Sequence, residues 1–185
     1  YIKSRRKFIR FSPVLFKRKE EINMPNYCNY QLKAKGDKKN LEKLHRIMNA
    51  DYRYEKEEVY CSEDTHMFRI FEAALIELNN DYIIIDGYCA WSVFSCMFDS
   101  QCTYYRNMHT EYKDKCKATT IDKLSKELKL DIEIFSEESG VGFMEHFLIK
   151  QGEIIIDDCV DYCENYDPET DESHPEGGLE WIYSI

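Results

Sequence analysis

The stretch from Leu124 to Cys163 constrains the fold most, because its hydrophobic period changes within it and glycine turns interrupt it. Ile121, Leu124 and Leu128 recur at helical spacing. After Leu130 the pattern passes to Asp131-Ile132-Glu133-Ile134-Phe135, which alternates like a half-buried strand. Ser139-Gly140-Val141-Gly142 breaks the alternation, and Phe143 to Lys150 is again aromatic and aliphatic. Gln151-Gly152 then separates it from Glu153-Ile154-Ile155-Ile156. A Gly at the second position of a two-residue loop suits a hairpin. The stretch therefore predicts a helix feeding an antiparallel meander, on which the other elements must pack.

Upstream the pattern is as regular. Cys28, Tyr30, Leu32 and Ala34 alternate with Asn29, Gln31, Lys33 and Lys35, so one face of this strand is buried. Gly36 ends it, Asp37 is placed to cap the next helix, and Leu41, Leu44 and Met48 mark that helix's apolar face, with Ile47 at its flank. Ala50 to Thr65 is charged and irregular and reads as a connection. Phe68–Leu78 and Tyr82–Val93 are apolar, strand-like runs joined at Asn79-Asn80-Asp81, a turn composition. With the helix near Thr119–Lys129 the order becomes βαββαβ plus additional C-terminal strands. This is an α+β, ferredoxin-like antiparallel sheet with its helices on one face. Residues 97–118 read as an insertion, in which Tyr104, Tyr105, Met108 and Tyr112 either line a helix or cover the sheet as an ordered loop. Residues 164–185, with Pro168, Pro175 and Gly177-Gly178 among acids, read as a partly mobile acidic tail. Its Leu179, Trp181, Ile182 and Tyr183 are candidates to dock back on the domain spanning 24–163.

Charge separates the chain further. Residues 1–23 hold eight Lys or Arg against Glu20 and Glu21, a net of +6; the whole chain carries −10, which leaves −16 on residues 24–185. From Glu153 onward there are eleven Asp or Glu and no Lys or Arg. Such a surface repels nucleic acid and anionic membrane and attracts basic proteins or cations. The basic segment 1–23 reads either as a nucleic-acid-binding arm or as a translated leader; the leader, with Met24 as natural start, is favoured. No apolar run approaches the length of a membrane span. Eight irregularly spaced cysteines without a secretory signal point to reduced thiols in a cytoplasm.

Met24-Pro25-Asn26-Tyr27-Cys28-Asn29, followed by a strand and Gly36, resembles the opening of the YubB-type ferredoxin-like proteins of phages, prophages and plasmids. Ala90-Trp91-Ser92 resembles that family's Ala-Trp-Ser after the third strand. Leu124-Ser125, the strand ending at Glu137-Glu138, and Gly140-Val141-Gly142-Phe143 resemble its closing helix, strand and Gly-x-x-Phe turn. The resemblance covers Met24 to about Asp161. It departs from the pattern where no proline follows Ser92, where 97–118 is inserted, and where Glu145-His146 replaces a small residue. It implies a fold, a mobile-element setting and a bacterial cytoplasm, and it implies no activity.

Sites of chemistry find little support in the spacing. Cys159-x-x-x-Cys163, with Cys89, Cys96 or His146, is a zinc candidate, but structural zinc sites show two close pairs and no second pair is visible. Asp157, Asp158, Asp161 and Glu164 are hard-cation ligands without calcium-loop spacing. Gly140-Val141-Gly142 has the composition to cradle a phosphate, yet no helix follows it, so a hairpin turn is the better reading. Cys96 with His109, or Ser92 with His146 and Glu145, supplies nucleophile and base types without a motif that joins them. His146, between Met144 and Leu148, reads as a packed or rim histidine, and Trp91 as core.

The expectation is a non-enzyme without catalytic, cofactor or metal residues. It is a small acidic protein of a mobile element that binds a basic host protein, one form of which is inhibition of a nucleic-acid-handling defence enzyme. The candidate interaction surface comprises Glu137, Glu138, Gly140, Glu145, His146, Asp157, Asp158, Asp161 and Glu164. The alternative is nucleic-acid binding on the open sheet face, against which the acidic balance counts. The zinc question has a direct test. Protein purified without chelator is expected to carry no stoichiometric zinc by elemental analysis; one zinc per chain, lost in a Cys159→Ser/Cys163→Ser variant, contradicts this.

Overall fold

The computed structural model describes residues 26–55, 58–67, 69–98, 117–169 and 172–185. The leader 1–23 and the Tyr104–Tyr112 face lie outside them. Strand β1 (Tyr27–Lys35) alternates as its sequence demands, with Cys28, Tyr30, Leu32 and Ala34 buried. Asp37 caps helix α1 (Lys38–Met48), its carboxylate accepting the Lys39 N–H at 3.0 Å, and Leu41, Leu44, Ile47 and Met48 form the buried stripe. Three short strands follow, β2 (Tyr52–Glu55), β3 (Glu58–Cys61) and β4 (Thr65–His66). Two long ones come next, β5 (Ile70–Leu78) and β6 (Tyr82–Ala90), and then a π-helical turn at Phe94–Phe98. After the short β7 (Lys117–Ala118), helix α2 (Ile121–Leu128) ends on Lys129 in a left-handed conformation. The meander β8 (Asp131–Glu138), β9 (Phe143–Lys150) and β10 (Glu153–Asp167) leads to β11 (Glu172–Gly177). Gln151 and Gly152 both have positive φ, 48° and 92°, the requirement of a type I′ hairpin turn.

The long strands make an open, antiparallel seven-stranded sheet in the order β11-β10-β9-β8-β1-β6-β5, so the chain is α+β. β1 is paired on both sides, to β6 and β8. Its buried face, both helices and the inward residues of β6 and β8 form one core cluster that includes Leu41, Leu124, Leu128, Ile132 and Ile134. Asn40 of α1 donates to the Leu128 carbonyl at 2.9 Å and ties the helices together. Buried Ser125 donates to the Leu130 carbonyl and accepts the Gly152 N–H, which fixes α2 to the β9–β10 turn. Gly87 leaves room for the Tyr30 hydroxyl to reach the Glu72 carbonyl at 2.8 Å; a Cβ there would meet both groups. That bond, two bulges in β5, and the His45 and Asn49 side chains against the Ala73 carbonyl blunt this sheet edge.

Two segments depart from the sequence reading. Residues 50–65 are more than a connection: β2 and β3 form a hairpin there, and β4 pairs with β7. Strands this short and this charged leave too little alternation to register. The acidic tail is also structured. β10 runs past Cys163 to Asp167 because β11 pairs with it, and Pro175 is tolerated because β11 is an edge strand. Residues 179–185 then return as a strap across the face opposite α1 and α2.

Leu128, 5% exposed between the two helices, tests the layout. Leu128→Ala is expected to lower the unfolding free energy by about 2–5 kcal/mol in denaturant titration. A loss well under that range would mean that α2 does not pack as described.

Candidate functional site

The two faces of the outer sheet carry different chemistry, because successive strand residues point to opposite sides. Glu145 of β9 points to the helix side and is 4% exposed. Its carboxylate accepts the Val93 N–H at 2.8 Å, the Phe94 N–H at 3.4 Å and the Ser136 hydroxyl at 2.8 Å. Ser92 caps the same turn, its Oγ accepting the Ser95 N–H at 3.0 Å. Glu145 therefore fastens the turn after β6 to the far half of the sheet. Burial raises its pKa above the ordinary carboxylate value. Opposite it on β10 stand Cys159 and, two residues either way, Asp157 and Asp161, all three exposed. Glu145, Asp157 and Asp161 share a recess of about 300 Å³ with Phe94, Phe143 and Phe147.

The other face holds a second buried carboxylate. Glu133 is fully buried and accepts the Ser184 N–H at 2.6 Å and the Ile185 N–H at 3.3 Å, with the Ser184 hydroxyl at 3.1 Å and His146 Nε2 at 2.9 Å. His146 stacks on Phe135, with ring centroids 4.1 Å apart, and Trp181 and Tyr183 of the strap pack on the same phenyl ring. Lys33 lies over the Tyr183 ring. The docking of Trp181 and Tyr183 follows the sequence reading. The Glu133 anchor had no sequence signal beyond a charged residue in an apolar strand.

A third carboxylate closes the β8–β9 turn. Glu138, 2% exposed, accepts the N–H groups of Gly140 at 3.0 Å and Val141 at 2.6 Å. The Gly-x-Gly backbone does cradle an anion here, and that anion is the chain's own glutamate. Glu137 is half-buried and accepts the Tyr162 hydroxyl at 2.5 Å.

These placements divide the candidate surface. Glu138 and Glu145 are buried structural ties, a correction to their place on an exposed acidic patch; sequence distance cannot distinguish an acid at a surface from one that is satisfied by backbone donors. Gly140 is exposed on the turn, Asp157 and Asp161 line the recess, and Asp158 lies on the opposite face beside His146. The Glu164 backbone belongs to β10, and its side chain lies outside the described ones. Ser92 and Glu145 line the same recess, but His146 does not join them: the serine caps a turn, and the histidine points away from the glutamate's side of the sheet. His109 lies outside the described residues. Cys159 and Cys163, four residues apart on one strand, are about 13 Å apart along it, too far to share an ion. Among the described residues no group of three or more His, Cys, Asp or Glu side chains has the geometry to hold a metal.

Trp91 also departs from its expected core position. It is 45% exposed in a left-handed conformation, with the Arg69 guanidinium 3.7 Å from its ring centroid. Tyr27, Phe71 and Tyr88 form an aromatic cluster at this end of the sheet, centroids 5.4–6.0 Å apart. Among the described residues no helix is long and apolar enough to cross a membrane. No protein family, curated protein or solved structure gives a match to this chain.

Glu145 gives a pH signature. Its raised folded-state pKa means that its contribution to stability is fully present below the ordinary carboxylate pKa of about 4.3 and is lost as pH rises through the folded value. A Gln at 145 keeps an acceptor for Val93 and a partner for Ser136 but does not titrate. The stability difference between wild type and Glu145→Gln should therefore move in favour of wild type as pH falls from neutral toward the ordinary carboxylate pKa of about 4.3. Glu145→Ala, which orphans those donors, should cost about 1–3 kcal/mol at either pH by denaturant titration. A pH-independent difference between wild type and Glu145→Gln contradicts the assignment.

Proposed function

We propose that this chain is a protein-binding module that engages a basic partner through the acidic recess beside β10. The observation that carries the reading is that exposed Asp157 and Asp161 line one recess with Phe94, Phe143 and Phe147, behind which buried Glu145 holds the turn in place. Carboxylates and aromatic rings that line one recess suit a lysine or arginine side chain, by ion pairing and cation–π attraction together. The absence of any Lys or Arg from Glu153 onward keeps the surrounding field negative. The strand order β8-β1-β6-β5, with α1 between β1 and β5 and α2 between β6 and β8, supports the ferredoxin-like topology expected of the YubB-type resemblance. That resemblance points to a phage, prophage or plasmid as the module's source and to a partner in a bacterial cytoplasm. There, a defence enzyme with a basic nucleic-acid channel is a target that an acidic face would block.

A second reading rests on Tyr27, Phe71 and Tyr88 with the Arg69–Trp91 stack, since single-stranded nucleic acid stacks on such rings. The same residue types also mark protein interfaces, and the net charge favours the protein partner.

Capture from bacterial lysate should retain a basic protein that an Asp157→Asn/Asp161→Asn variant retains at least tenfold less. The wild-type complex should also release it as salt rises toward about 1 M, where the Debye length falls to about 3 Å. Asp158→Asn, on the other face, should behave as wild type. Equal capture and equal salt dependence in the double variant would exclude the recess as the binding surface. Tight binding of the wild type to single-stranded RNA or DNA at about 0.15 M salt would instead favour the aromatic face.

A further inference from the structure

The acidic recess has an internal repeat, set by the register of β9 with β10. Asp157 stands opposite Phe147, Cys159 opposite Glu145, and Asp161 opposite Phe143. The bulge in this pairing lies between Ile154 and Ile156, so the ladder is regular from Ile156 to Asp161. Residues two apart on a regular strand point to the same face, and directly opposed side chains stand about 5 Å apart at Cβ. Each exposed aspartate therefore sits beside the phenyl ring of its cross-strand partner. At the Asp157 end the rings continue from Phe147 through Phe98 to half-exposed Phe94, with centroid separations of 4.4 and 6.2 Å. Between the two ends the Glu145 carboxylate is buried and engaged by the Val93 and Phe94 N–H groups. The recess thus offers two exposed carboxylates, each next to a ring, with a middle position that offers none.

Resting on the reading of this recess as the site of a basic partner, we propose that it is a two-point site for an extended segment that carries Lys or Arg at positions i and i+4. Asp157 and Asp161 are four residues apart on β10, about 13 Å along it at about 3.3 Å per residue. An extended segment lying along β10 has the same rise, so its side chains at i and i+4 share a face and meet both aspartates. A spacing of i+2 covers about 7 Å and sets the second cation over the middle position. A spacing of i+3 turns the second cation to the opposite face. A helix fits no better: at 1.5 Å per residue its same-face positions i+7 and i+11 fall at about 10.5 and about 16.5 Å. Once the first cation is seated the second binds intramolecularly, so affinity rises only for the spacing that lets both engage at once.

The test titrates the full chain into labelled peptides of equal length and net charge, read by fluorescence anisotropy at low salt. Each peptide carries two lysines in a Ser/Thr background, spaced i+2, i+3 or i+4. The i+4 peptide should bind at least tenfold tighter than the other two. Asp157→Asn and Asp161→Asn should each bring that ratio close to one, whereas Asp158→Asn, the same charge change on the opposite face, should leave it as in wild type. Equal affinity for the three peptides, lowered in the Asp157→Asn/Asp161→Asn variant, overturns the two-point spacing and leaves the recess as a site for basic side chains. An i+4 preference that survives the double variant overturns the proposal by placing the site elsewhere. Absent binding, or equal binding that the double variant leaves unchanged, overturns both the spacing and the recess.

Discussion

A carboxylate taken out of water must be given donors, and the outer half of this sheet is arranged around that requirement. Glu133, Glu138 and Glu145 lie on adjacent strands, each at most 4% exposed. Each holds a segment that the sheet's own ladder does not reach: the strap at 184–185, the turn at 140–141 and the turn at 93–94. Backbone N–H groups supply most of the donors, so the charge is met by dipoles that would otherwise need partners of their own. Removing any one carboxylate leaves both a loosened segment and orphaned amides, which is why these acids are poor candidates for a solvent-facing binding surface.

With those three acids withdrawn, Glu153, Asp157, Asp158 and Asp161 of β10 remain exposed among the described residues, two of them in the recess. Tyr27, Phe71 and Trp91 are exposed on the side of β1, β6 and β5, while exposed Phe94 belongs to the recess. Pairing order produces this separation: β10 and β11 sit on one edge, and β6 and β5 on the other, with β1 between. The strap covers the middle of the face away from α1 and α2 through Trp181 and Tyr183 on Phe135; among the described residues Tyr27 and Phe71 stay exposed on it.

Much of the frame was legible because local rules agreed with one another. The alternation of Cys28 to Ala34, the Asp37 cap, the stripe Leu41-Leu44-Met48 and the Gln151-Gly152 turn each carry their own signal. The core positions that periodicity marks in β1, α1, α2 and β8 are all buried. The short strands between residues 52 and 66 were not legible, since four residues cannot display a period against a charged background. β11 was hidden for a related reason: Pro175 argues against a strand until the strand is known to be an edge.

The site was less legible than the fold. Sequence alone determined the binary pattern, the acidic bias of the C-terminal half and the turn chemistry, because these depend on neighbours within a few residues. Which acids face solvent was decided only by tertiary structure. Glu137, Glu138 and Glu145 look alike in a chain of carboxylates, yet Glu138 takes the N–H groups of the turn that follows it, Glu145 those of a turn fifty residues away, and Glu137 only the Tyr162 hydroxyl. The same holds for Trp91: its apolar surface reads as core, but a left-handed backbone at that position turns the ring outward beneath Arg69. Contacts across fifty residues, such as Glu133 with Ser184 or Glu145 with Val93, have no period and no motif. They exist because the sheet brings the strands into register first, and only then do buried charge and free amides find each other.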